Sequence, residues 1–173
     1  MIYLVRHGQT DWNLQKIFNG VTETDLNQTG TRQSRRLAKN LEDVNLDVCF
    51  CSPQKRARQT SEIIYAGNAI FDDRLAEIIC GEFEGKDETP ESFRQFFKAS
   101  ETGDKGVEKF SDFLERMCDF CEMLARDYKG KNILVITHAA NARAANYYFS
   151  GRPKDYDFLK SVGKSGEFVT FKN

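Results

Sequence analysis

The 173-residue chain is short of several things that would decide its class at once. It has two histidines, three prolines and one tryptophan. It has almost no net charge, 25 Lys and Arg standing against 26 Asp and Glu, and that balance argues against a general binder of nucleic acid or membrane surfaces, which needs a basic field. An anion must then be held locally, by a few placed cations. No apolar run approaches the roughly 20 residues of a membrane span. No basic stretch followed by a long apolar segment marks a signal peptide, so the expected location is the cytoplasm. Five cysteines are an odd number and form no disulfide framework. Cys49 and Cys51 fall in an expected buried strand. Cys118 and Cys121 are spaced C-x-x-C inside a helical pattern, without a second pair or a nearby histidine, so all read as reduced thiols and no metal is expected. Internal repeats, linkers and low-complexity segments are also missing, which predicts a single domain over 1–173.

What is present alternates between two periodicities. Apolar runs at 1–5, 47–51, 70–71, 132–137 and 167–171 read as strands. The stretches 29–42, 53–66, 90–100, 107–128 and 139–149 read as helices, with Leu37 and Leu41 on one face of the first. Ser52 is expected to cap the second helix, Pro53 suiting its first turn. The stretch 8–28 and the glycine- and glutamate-rich stretch 75–86 read as loops. Continuous apolar strands alternating with helices imply an α/β fold, a three-layer α/β/α sandwich around a mostly parallel sheet.

In such sheets ligands bind beyond the carboxyl ends of the strands. Both histidines fall there. The first strand runs into Arg6-His7-Gly8 and the NILVIT strand into His138, while the DVCFC strand leads through Ser52 to a helix carrying Arg56. A lone histidine is more often structural than catalytic, and a lone helix arginine is usually solvated. Arg6 is harder to set aside, because a guanidinium straight after a buried strand needs an anionic partner. Two arginines, two histidines and a helix N-terminus compose a pocket for a phosphate-like anion.

At this point the chain resembles a known family. Residues 6–13, RHGQTDWN, are similar to the R-H-G-E-T-x-W-N signature of the histidine phosphatase superfamily, the phosphoglycerate mutase-like proteins. GVTETDLNQTG (20–30), SPQKRARQT (52–60), RLAEIICGEFEG (74–85), GVEKFSDFLER (106–116) and the Thr137-His138 pair resemble the family's later motifs, in order. The likeness extends to the small α-ribazole phosphatases and broad-specificity phosphatases. It implies a phosphoglycerate mutase-like fold and a metal- and cofactor-independent phosphatase acting on a small-molecule phosphate ester. His7 would be the nucleophile, His138 a donor, and Glu77 the general acid. Arg6, Arg56, Asn13 and the amide of Ala139 would hold the phosphate, with the two guanidinium groups forking onto its oxygens. Asn19 and Gly20 would belong to a substrate loop. Spacing alone does not choose among Glu77, Glu82 and Glu84; the R-L-x-E match favours Glu77. Ala139-Ala140 stands where the family usually has Gly-Gly. Phe93, Phe96 and Phe97 either line a leaving-group pocket or, more often for such clusters, pack a helix onto the core. The short segment 86–106 favours hydrolysis. Mutase-type phosphoryl transfer and a non-catalytic phosphate-binding module are the alternatives.

Overall fold

A computed structural model describes residues 1–158 and 165–172. Its sheet has five strands: β1 (Ile2–Arg6), β2 (Val48–Cys51), β3 (Ile70–Phe71), β4 (Ile133–Thr137) and β5 (Phe168–Phe171). They lie in the order β3-β2-β4-β1-β5; β1, β2, β3 and β4 run parallel, and β5 closes one edge antiparallel to β1. The helices are α1 (Asp11–Gln15), α2 (Gln28–Asn40), α3 (Lys55–Ile64), α4 (Pro90–Thr102), α5 (Phe110–Asp127) and α6 (Ala139–Phe149). This is the expected α/β architecture with a mostly parallel sheet.

The period of two along each strand builds the layers. Leu4, Phe50, Ile133 and Val135 point to one face and pack with Phe113, Met117, Phe120 and Leu124 of α5 and Ala142 and Ala145 of α6. Their neighbours Val5, Cys49, Cys51, Leu134 and Ile136 point to the other face and pack with Leu37 and Leu41 beside α2 and Ala57 of α3. Every residue of β4, the central strand, is buried, which explains its unbroken apolar sequence. The five cysteines are free, four of them buried, and burial pushes the Cys51 thiol up to about 12. No described helix is long and apolar enough to cross a membrane.

The differences from expectation are local. The stretch 8–28 is not wholly loop: Thr10 and Asn13 form a reciprocal capping box that starts α1. α2 begins at Gln28 because Asn27 caps it through Gly30 N–H. Ser52 is not the cap of α3, whose N-cap is Gln54, and the helix ends at Ile64 rather than near residue 66. The stretch 75–86 includes a 3-10 turn at Gly81–Phe83.

Candidate active site

Three neighbouring parallel strands end side by side, and register decides what they deliver. Arg6 on β1 pairs with Thr137 on β4, and Cys51 on β2 pairs with Ile136. The residues that follow are His7, His138 and Ser52. His7 N–H donates to Thr137 O at 2.9 Å, and Ser52 N–H donates to Ile136 O at 2.9 Å. The two imidazoles therefore meet, ring centroids 5.0 Å apart and inclined by 61°.

Each ring has one nitrogen engaged by the protein. His7 Nδ1 lies 2.7 Å from Gly8 O, which can only accept, so Nδ1 carries the proton and Nε2 keeps its lone pair. His138 Nε2 lies 2.8 Å from Ser52 Oγ. That hydroxyl also accepts from Gln54 N–H at 3.4 Å and has one proton to give; where it goes to Nε2, His138 bears its own proton on Nδ1. His138 Nδ1 is buried and has no protein partner among the described residues. Both rings stay neutral. Burial lowers the pKa of His7 well below the ordinary value, then Arg56 and Arg6 lower it further, against the Gly8 carbonyl. For His138 the causes are burial, then Arg56, His7 and Arg6.

The arginines divide their work unequally. Arg56 is 1% exposed. Its Nη1 donates to Thr22 O at 3.0 Å, and its Nη2 to Gly20 O at 2.9 Å and Asn19 O at 3.3 Å. Three of its five N–H groups are thus spent on loop carbonyls, and among the described residues the buried Nε–H has no partner. Arg6 keeps a buried Nε–H without a protein partner and lines the cavity. Burial lowers the pKa of both, and for both Glu77 is the charge that opposes this most. Asn13 spends its Oδ1 on Thr10 N–H and turns toward the cavity, which leaves its amide nitrogen for a ligand. Ala139 begins α6 directly after the extended His138 (φ −122°), so its amide is one of the unpaired donors of a helix start. Neither Ala139 nor Ala140 has a positive φ, so alanine meets the backbone requirement there without strain.

The three glutamates separate. Glu77 lines the cavity, its Oε1 accepting from Ile78 N–H at 3.0 Å. Glu84 instead accepts the amides of Gly20, Val21 and Thr22, and Glu82 is an exposed residue outside the lining. Gly20 is correspondingly a scaffold position. It donates to Glu84 and accepts from Arg56 and Gln54, whereas Asn19 does line the cavity. Glu77 is held by the chain around it. Gln54 Oε1 accepts its N–H at 2.9 Å, and Arg116 donates to Arg74 O and Ala76 O while forking onto Glu108. Asn141 Nδ2 reaches Leu75 O at 2.6 Å.

The cavity has a volume of about 260 Å³. Phe93, Phe96 and Phe97 pack on the core, as expected, and also line the cavity. Two charged residues that the motifs did not single out complete it, Glu88 and Arg143. Arg143 follows Ala139 and Ala140 at i+4 and i+3 on α6, a spacing that places it on the same helix face. Glu88 has no comparable sequence signal.

Comparison with known proteins agrees with this arrangement. Residues 2–159 match the family model described as the histidine phosphatase superfamily (branch 1). The chain is 32% identical over 153 residues to the uncharacterized phosphatase PhoE of Bacillus subtilis, spanning 87% of this chain and 77% of that protein. It is 30% identical over 153 residues to phosphoserine phosphatase 1 of Hydrogenobacter thermophilus, spanning 83% and 72% respectively. The crystal structure of the α-ribazole phosphatase from Shigella flexneri superimposes with a TM-score of 0.82 over 95% of this chain and 86% of that one, at 23% identity, a likeness of fold alone.

Proposed function

Because this chain belongs to the histidine phosphatase superfamily (branch 1), we propose that it hydrolyses small phosphate monoesters through a phosphohistidine at His7. The observation that carries this reading is the pairing of His7 Nδ1 with Gly8 O, which leaves a neutral ring with a free Nε2 lone pair beside buried, unpartnered N–H donors.

In the first step Nε2 attacks phosphorus in line, the P–O bond to the leaving group breaks, and Glu77 gives its proton to the departing oxygen. Arg6, Arg56 Nε–H, His138 Nδ1–H, the Asn13 amide and the Ala139 N–H receive the non-bridging oxygens as charge builds on them. In the second step the Glu77 carboxylate takes a proton from water. The water oxygen bonds to phosphorus, the P–N bond breaks, and the lone pair returns to His7. No step is assigned to a metal ion. Hydrolysis rather than transfer to a second hydroxyl is supported by the mouth of the cavity, where the exposed Glu88 leaves water a way in.

The test is turnover of p-nitrophenyl phosphate. The wild-type protein releases phosphate and His7→Ala does not. Equal activity in the two removes His7 from the reaction.

A further inference from the structure

The cavity offers more than a phosphate can use. A phosphate monoester dianion only accepts hydrogen bonds, and the donors named above already suffice for it. Yet the cavity also holds hydrogen-bond acceptors. Among the described residues Asn19 Oδ1 is buried with no partner, its Nδ2 donating to Thr24 Oγ1 at 2.8 Å. Glu88 presents a carboxylate at the mouth, and desolvation there, reinforced by Glu77 and opposed by Arg6 and Arg143, raises its pKa. On α6, Arg143 brings a further guanidinium whose Nε is buried and unpartnered. Among the described residues neither Glu88 nor Arg143 enters an ion pair. A carboxylate and a guanidinium that line one small cavity without closing an ion pair, beside an unpartnered amide oxygen, describe the complement of a ligand.

We infer that Glu88, Asn19 and Arg143 form a leaving-group subsite for a zwitterion, so that the substrate is a small O-phosphorylated amino acid. Its ammonium donates to the Glu88 carboxylate and Asn19 Oδ1, and its carboxylate takes the Arg143 fork. The cavity of about 260 Å³ matches a small leaving group. This assignment rests on the hydrolytic reading above, and adds to it which ester is chosen.

Four phosphate esters separate the two charges: O-phosphoserine has both, O-phosphoethanolamine only the ammonium, 3-phosphoglycerate only the carboxylate, and p-nitrophenyl phosphate neither. The wild-type protein is expected to show the highest kcat/KM on O-phosphoserine, by about tenfold over either singly charged ester. Glu88→Gln lowers kcat/KM on the two ammonium esters by about ten- to a hundredfold and does not lower it on the other two. Arg143→Gln does the same to the two carboxylate esters and spares O-phosphoethanolamine and p-nitrophenyl phosphate. The spared substrates show in each case that the variant is folded. Uniform loss across all four esters, or no preference for O-phosphoserine in the wild type, overturns the subsite. If the wild type turns over none of them, the hydrolytic reading fails on its own, and calorimetry decides the subsite. Weaker O-phosphoserine binding in both variants upholds it, and unchanged binding overturns it.

Discussion

At the scale of single residues, the site depends on where two protons sit. Gly8 O fixes one on His7 Nδ1, and the other belongs to the His138 ring, whose Nε2 meets Ser52 Oγ. Ser52→Ala deletes the hydroxyl that meets His138 Nε2 and orients the ring, and its kcat should fall by about ten- to a hundredfold while the far-ultraviolet spectrum is unchanged. A fully active Ser52→Ala would show that the hydroxyl is only a packing group. The same two rings set a pH dependence. Their folded pKa values lie well below 6.5, so the unfolded chain binds protons first as pH falls. Stability is then fully present above about pH 6.5 and declines below it, by about 1.4 kcal/mol per pH unit for each histidine. Carboxylates with lowered values, such as Asp72, act only further down. Urea unfolding at pH 7.5 and 5.5 should give a lower midpoint at 5.5. A flat profile would mean that the rings are not held neutral.

At the scale of elements, two contacts carry the geometry. The first is the crossing of the β1 end over the start of α2. A Cβ on Gly8 would stand 2.5 Å from Gly30 O, and Gly30 in turn lies against the Gln9 backbone, so neither chain can yield without moving. Gly8→Ala is expected to cost about 1–3 kcal/mol and most of the activity together, read by thermal melting and steady-state rates. The second is the clamp of Arg116 and Glu108, which grips the carbonyls of the 74–76 stretch just before Glu77. Arg116→Met should lower kcat more than it raises KM, because Glu77 loses its placement while the phosphate donors stay. The motifs of this stretch were legible in the sequence, but their purpose was not. A helix arginine reads as solvated until a loop from another part of the chain is seen beneath it. Ser52 was likewise misjudged as a helix cap, since nothing local reveals that His138 lies 2.8 Å away.

At the scale of the whole molecule, the sheet separates stability from chemistry. Phe120 is buried against Phe50, ring centroids 5.6 Å apart, and does not line the cavity. Phe120→Ala should therefore cost about 3–5 kcal/mol in denaturant unfolding and leave kcat/KM per folded molecule unchanged. The layers were legible because strand alternation and helix periodicity both report burial directly. The strand-end placement of both histidines followed from that alone. What could not be read was the far wall of the cavity. Glu88 and Arg143 look like ordinary surface charges in sequence and become neighbours only when the segment before α4 folds toward α6. The carbonyl partners of Arg56 at 19–22 were hidden for the same reason, being distant along the chain.

The most direct measurement is rapid quenching of the full chain with phosphorus-labelled p-nitrophenyl phosphate, followed by peptide mapping at alkaline pH. The mechanism predicts an acid-labile label on the peptide containing His7, formed at least as fast as turnover and missing from His7→Ala. Turnover without any protein-bound phosphate, or a label on another residue, would contradict it.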